Sequence, residues 1–226
     1  MVAHEMRNAL LPIRLAVAQL GQPIKDEAQL PRLRFAIERQ LAHLSRLVGD
    51  LLDDSRAANG KLRLELVPLD LTDSIAEALA VSQAFVALRG QRLDTDLPRQ
   101  ALMVQGDPVR LVQIIGNLLT NASKYTPRGS WIGVSVTFSE TTLQMTVADN
   151  GIGIAADVLP HIFEPFVQDA HAVAFDRTGL GIGLSVVREL AQAHGGSVVA
   201  RSAGHGLGSQ FIVSLPLAVR APSYRT

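Results

Sequence analysis

Asp149-Asn150-Gly151-Ile152-Gly153-Ile154 and Thr178-Gly179-Leu180-Gly181-Ile182-Gly183-Leu184 are the two glycine-rich stretches on which the reading of this chain turns. Residues 143 to 148 alternate apolar and polar like a strand running into the first, and from Ser185 a helical period runs out of the second. A glycine has no Cβ, so backbone there can approach a base or a phosphate closely. N–H groups opening a helix also suit an anion. Both stretches read as nucleotide-contacting turns.

Composition bounds what surrounds them. The 226 residues are 47% hydrophobic and 19% charged, enough for one sizeable core and a smaller unit. Lys+Arg and Asp+Glu both number 21, so no basic field favours nucleic acid as a partner. The absence of cysteine rules out a disulfide framework or thiolate metal site and is compatible with a cytoplasmic location. Apolar runs such as Leu111 to Leu119 are broken by Gln113, Gly116 and Asn117 and fall short of the roughly 20 residues of a membrane span. Neither membrane contact nor a signal peptide is expected within the chain.

At the other end of the chain, Met6, Leu10, Ile13, Val17 and Leu20 form one helical stripe, stopped by Gly21-Gln22-Pro23. A second helix begins near Pro31 and runs through Leu33, Ile37, Leu41, Leu44, Val48 and Leu51. An antiparallel pair with such stripes is expected to bury them against a second copy as a four-helix bundle, packing on its own chain being the alternative. The first helix is shorter than the second, which suggests a longer natural protein continuing upstream of Met1. On it, His4 and Asn8 share a face with Glu5 beside them. A zinc-peptidase reading fails because its second histidine position is Asn8.

Between hairpin and glycine stretches, Leu62, Leu64 and Leu66 suggest a strand within residues 60 to 68. Asp70 caps a helix to about Leu88, and a strand follows near Gln91 to Leu97. Asp107-Pro108 opens a helix to about Tyr125 that Thr126-Pro127 ends. Asn117 and Asn121 stack on one of its faces, with Lys124 and Tyr125 at its end. Asn offers a neutral oxygen ligand for Mg²⁺ where a nucleotide supplies the rest, buried hydrogen bonding being the plainer explanation. Residues 131 to 138 and 143 to 149 read as paired strands, 156 to 163 as a short helix, and 164 to 176 as an aperiodic flap. A helix then runs from Gly181 or Ile182 to about His194, with strands at 197 to 202 and 210 to 215.

Assembled in order, these residues resemble a sensor histidine kinase of two-component signalling over nearly the whole chain. Residues 3 to 12, Ala-His-Glu-Met-Arg-Asn-Ala-Leu-Leu-Pro, are similar to the family's phosphoacceptor box, and Asn117 to Pro127 to its N box. Asp149 to Gly153, Ile162 to Phe166, Thr178 to Leu184 and Gly206 to Phe211 resemble the first glycine box, F box, second glycine box and final box. No phosphate-binding Gly-x-x-x-x-Gly-Lys-[Ser/Thr] loop occurs.

The resemblance implies an α+β chain. An N-terminal antiparallel helical hairpin (1–59), forming a four-helix bundle on dimerisation, precedes an α/β sandwich ATP-binding domain of the Bergerat type (60–217) and a loose tail (218–226). It implies ATP and Mg²⁺ as cofactors, a homodimer, and a response regulator receiver domain as partner. His4 would be the phosphoacceptor, Glu5 its acid/base, and Asn8 the residue orienting water for a reverse phosphatase activity. Asp149 would read adenine, with Gly151, Gly153, Tyr125 and Ser209 about the base. Asn121 would hold Mg²⁺, with Asn117 and Lys124 on the phosphate side. Thr178, Gly179, Leu180, Gly181, Gly183 and Leu184 would shape the flap hinge. Ala9 stands where many members have proline. A non-catalytic ATP-binding or dimerising module and another ATPase of the superfamily stay open as alternatives.

Overall fold

The computed structural model describes residues 2–20, 63–176 and 180–218, together with positions 29–35, 37, 40, 41, 44 and 49, with side chains from Leu10 onward. The first hairpin helix, α1 (Val2–Leu20), forms as its period predicts and contains Pro12, which withholds an N–H from the carbonyl of Asn8. Residues 29–35 are helical where the second helix is expected, while the turn at 21–28 lies outside the described residues. Much of the first helix's apolar stripe stays exposed in a single chain, with Leu10 at 42%, Val17 at 55% and Leu20 at 42%.

From residue 67 the chain runs β1 (Val67–Asp70), α2 (Leu71–Leu88), β2 (Arg92–Asp96), β3 (Met103–Gly106), α3 (Pro108–Tyr125), β4 (Trp131–Phe138) and β5 (Thr142–Asp149). A short α4 (Ala170–Phe175), α5 (Gly183–Ala193), β6 (Ser197–Arg201) and β7 (Ser209–Pro216) complete it. Five strands make a mixed sheet in the order β2-β4-β5-β7-β6, with β2 and β4 parallel and the other pairs antiparallel. β1 and β3 form a separate antiparallel pair.

Period-two alternation turns Leu143, Met145 and Val147 of β5 and Phe211, Val213 and Leu215 of β7 to the same side, where all are buried. The register sets Leu143 opposite Leu215, Met145 opposite Val213 and Val147 opposite Phe211, so the pairs meet in one layer. Across that face lies α3, flanked by α2 and α5. Burying each large side chain here stabilises the fold by about 1.5–3 kcal/mol, which makes this layer the frame of the domain.

Helix starts follow their sequence signals. Asp70 accepts from the Thr72 N–H at 3.0 Å and also from the Leu102 N–H at 2.9 Å. Asp107 accepts from the N–H groups of Val109 and Arg110 with Pro108 in the first turn. The Asp107 N–H donates in turn to Nε2 of His194, a buried residue at the end of α5 whose Nδ1 bonds the Leu190 carbonyl at 2.7 Å.

The structure corrects the reading in five places. The first strand lies at Val67–Asp70, because its partners are the β3 residues Met103 to Gly106, a strand the sequence reading had not identified. Leu66 instead stays half exposed outside it. The helix expected over 156 to 163 is only a 3₁₀ turn at Leu159–His161, since Pro160 has no N–H for a longer α-helical ladder. Within the expected aperiodic flap, Asp169 caps the helix α4. Finally α2, 18 residues of mean hydropathy 1.3, is long and apolar enough to cross a membrane by length and composition alone. Leu71, Ile75, Ala78 and Val86 on it are buried in the domain core. Ala218, expected loose, donates its N–H to the Met103 carbonyl at 2.8 Å, and residues 219–226 lie outside the described ones.

Candidate functional site

Two interleaved stripes on α3 build the site. Leu111, Ile114, Ile115, Leu118, Leu119 and Ala122 are buried against the sheet. Gln113, Gly116, Asn117, Thr120, Asn121 and Lys124 repeat the same spacing two residues later, about 200° round the helix, and line a cavity of about 750 Å³. That volume lies within the range of small-molecule and cofactor sites.

Asp149 stands at one end of the cavity as the last residue of β5. Strand register sets it opposite Ser209, whose hydroxyl donates to Asp149 Oδ2 at 2.5 Å, while the Gly151 N–H donates to Oδ1 at 2.8 Å. Burial pushes the Asp149 carboxyl above its ordinary range, and the donors from Ser209 and Gly151 pull it only part of the way back. Beside it Thr126 Oγ1 is fully buried with no hydrogen-bond partner among the described residues.

Two glycines make this end possible. A Cβ at Gly151 would overlap the Tyr125 carbonyl, Asp149 Oδ1 and Thr126 Oγ1. At Gly153, with φ +70°, it would overlap the Gly204 carbonyl. The turn is fastened on both sides. The Ile152 N–H donates to the Tyr125 carbonyl at 3.0 Å, and the Gly206 and Gly208 N–H groups donate to the carbonyls of Ile152 and Gly151. Ser202, which the sequence did not single out, accepts from the Ile154 N–H and donates to the Gly208 carbonyl.

The other end is set by the second glycine stretch. Leu180, Gly181, Gly183 and Leu184 line the cavity, and Ile182 starts α5 without a side-chain cap, leaving first-turn N–H groups for an anion. Asn117 Nδ2 donates to the Gly183 carbonyl at 3.3 Å and so ties α3 to this turn. The Asn121 side chain also lines the cavity but makes no such hydrogen bond among the described residues. Phe166 of the F box donates its N–H to the Gly181 carbonyl and has a positive φ of 65°.

The structure thus brings Asn117, Asn121, Lys124, Tyr125, Asp149, Gly153, Leu180, Gly181, Gly183, Leu184 and Ser209 to one cavity, with Gly151 packed behind it. Two of these have partners within the fold. Lys124 Nζ donates to the Tyr125 hydroxyl at 2.8 Å and lies 4.5 Å from its ring centroid, and the Ser209 hydroxyl faces Asp149. Thr178 and Gly179 lie outside the described residues, as do the side chains of His4, Glu5 and Asn8, whose backbone belongs to α1. Sequence reasoning missed Arg89 and Gln91, which hold the end of α3. The one signal for them is Pro127, which cannot donate to the Ser123 carbonyl.

The model of the histidine kinase-, DNA gyrase B-, and HSP90-like ATPase family matches residues 106–219, which include α3, the Asp149 turn and the glycine-rich start of α5. The model of the His Kinase A (phospho-acceptor) domain matches residues 1–60. The chain belongs to the sensor histidine kinases, and the match over residues 106–219 makes ATP the ligand of its ATPase-like domain.

Among similar proteins, the sensor histidine kinase TrcS of Mycobacterium tuberculosis is 35% identical over 224 residues, covering 95% of this chain and 42% of TrcS. An uncharacterized sensor-like histidine kinase of Rhizobium meliloti is 34% identical over 220 residues, 95% of this chain and 41% of that protein. The chain therefore spans less than half the length of these curated relatives. Among solved structures, full-length ShkA in complex with AMPPNP superimposes with a TM-score of 0.70 at 26% identity, covering 97% of this chain and 46% of that one.

Proposed function

We propose that this chain is the kinase core of a two-component sensor: an ATP-dependent protein-histidine kinase that phosphorylates His4 and passes the phosphoryl group to an aspartate of a response regulator. The single observation that carries the reading is the 750 Å³ cavity with the Asp149 carboxylate at one end and the uncapped start of α5 at the other, in a chain that also matches the phosphoacceptor domain.

Each residue has a task on this reading. Ionised Asp149 only accepts hydrogen bonds, so it takes one from the adenine 6-amino group and opposes the 6-oxo group of guanine. Gly181 and Gly183 bring backbone N–H groups to the phosphates. Asn121, whose amide makes no hydrogen bond among the described residues, is the protein ligand for Mg²⁺. No cluster of three His, Cys, Asp or Glu suited to a metal occurs among the described residues. The ion would then take its remaining ligands from phosphates and water and neutralise phosphate charge.

A neutral His4 ring nitrogen attacks the γ-phosphorus, the bond to the bridging oxygen breaks, and ADP leaves. Glu5 orients the ring through its other nitrogen and accepts that proton. Asn8 orients water in the reverse phosphatase reaction. The exposed apolar residues of α1 and of 29–35 support dimerisation through the hairpin 1–59. Residues from 60 on then form the catalytic unit, with Ala218 fastened to it, and a receiver domain docks about His4. A cytoplasmic location follows from this partner.

The test is incubation with γ-labelled ATP and Mg²⁺, comparing the parent with His4→Gln and Asn121→Ala under acid and alkaline washes. Acid-labile, base-stable label that both variants lose supports the reading. Label that survives in His4→Gln, or acid-stable label, refutes it.

A further inference from the structure

Arg89 ends α2, and its guanidinium reaches two other elements. Nη1 lies 3.2 Å from each of the carbonyls of Ser123 and Lys124, in the last turn of α3. Those carbonyls belong to the helix end that Pro127 cannot complete, and Gln91 Nε2 already donates to Ser123 O at 2.9 Å and Thr126 O at 2.8 Å. With Gln91 in place the Ser123 carbonyl has a donor without the guanidinium. Nη2 goes on to Asp176 Oδ2 at 3.2 Å, with side-chain exposures of 33% for Arg89 and 16% for Asp176.

Asp176 ends α4, its N–H donating to the Ala172 carbonyl. The other end of that helix is fastened by Asp169, whose carboxylate accepts from the N–H groups of Ala155 and His171. Segment 169–176 is therefore held twice, once to the chain beyond the first glycine stretch and once through Arg89 to the end of α3. Arg89, Asp169, Ala172 and Asp176 all line the cavity. A planar guanidinium can serve carbonyls on one side and a carboxylate on the other, which a lysine cannot do.

We propose that Arg89 is a positioning residue for the nucleotide: it holds the α4 segment against the cavity through Asp176 and so sets how tightly the site retains its ligand. The proposal rests on the ATP-binding reading above.

Arg89→Gln, Asp176→Asn and the double variant test it in the full chain, by calorimetric titration with Mg-ATP and by hydrogen exchange of amides 170–176 without nucleotide. Each single change is expected to raise Kd about three- to tenfold, and the double change no more than the larger single one, since the partners share one interaction. Amides 170–176 should exchange faster in all three without nucleotide.

Unchanged Kd and exchange in Asp176→Asn would make Arg89 a helix cap only and overturn the proposal. So would additive effects, or a loss in Arg89→Gln far beyond that of Asp176→Asn, which would mean direct contact with the nucleotide. A parent that binds no Mg-ATP would refute the ATP reading instead, and the exchange measurement would still judge whether Arg89 holds α4.

Discussion

Asp149 and Ser209 face each other across the β5–β7 ladder, and the serine hydroxyl donates to the buried carboxylate at 2.5 Å. The site's central anion is thus partly satisfied by the fold before any ligand arrives, and it still carries a raised pKa because burial outweighs its donors.

A carboxyl whose folded pKa is raised contributes stability that is complete below its unfolded pKa and is lost as pH rises through the folded value. Asp149→Asn removes that titration. Denaturant unfolding is expected to show Asp149→Asn gaining on the parent as pH rises from the acid side to 7. Affinity for ATP should drop at least tenfold, as a charged acceptor is replaced by a neutral amide. Parallel pH profiles for the two proteins would contradict this.

Asn117 and Asn121 are one helical turn apart yet differently occupied. Asn117→Ala cuts the tie to the Gly183 carbonyl and should cost about 1 kcal/mol of stability as well as nucleotide affinity. Asn121→Ala should leave the melting temperature within a degree or two, by roughly the tolerance of an uncommitted surface-like site, while abolishing the Mg²⁺ dependence of nucleotide binding. Thermal melts with and without Mg-ATP separate the two.

Two glycines in this region should respond with opposite sign. Gly151→Ala drives a methyl into the Tyr125 carbonyl and the Thr126 hydroxyl, and a loss of about 2 kcal/mol or more is expected from such overpacking. Gly116 lies inside α3 with nothing within 4 Å of an added Cβ. Gly116→Ala should therefore stabilise the protein by roughly 0.5–1 kcal/mol through helix propensity. Chemical denaturation measures both.

Asp70 is the acid-sensitive counterpart of Asp149. Burial raises its pKa, but the N–H groups of Leu102 and Thr72 outweigh this and leave it lowered. Its stabilisation is present above the unfolded pKa and is lost as pH falls through the folded one. Asp70→Ala should cost about 1–2 kcal/mol at pH 7, with the gap to the parent closing in acid. A gap of constant size from pH 7 to 3 would argue against the carboxylate as the cause.

Local signals in the sequence were sufficient where one element decides its own form. Asp107-Pro108 and Thr126-Pro127 bracket α3 as the structure has it, and the alternation into Asp149 placed β5. Glycine spacing found both ends of the cavity. What stayed hidden depends on partners far along the chain. β3 exists because β1 pairs with it, and four residues are too few to show a period. Arg89 and Gln91 matter because of carbonyls 34 and 32 residues away, and nothing near them signals it. The sequence set Lys124 and Tyr125 at the same helix end but gave no sign that the Lys124 ammonium lies over the Tyr125 ring.

The bond from the Asp107 N–H to His194 spans 87 residues, and the one from Ser209 to Asp149 spans 60. On a ribosome, then, the helix that carries both asparagines emerges long before the histidine that steadies its start. The carboxylate emerges long before the strand that completes it. The residues of the first hairpin helix precede both, so a chain interrupted before residue 209 would carry His4 without the strand that completes the cavity around Asp149. Synthesis itself keeps the cavity unfinished until almost every residue of the domain that holds it has been made.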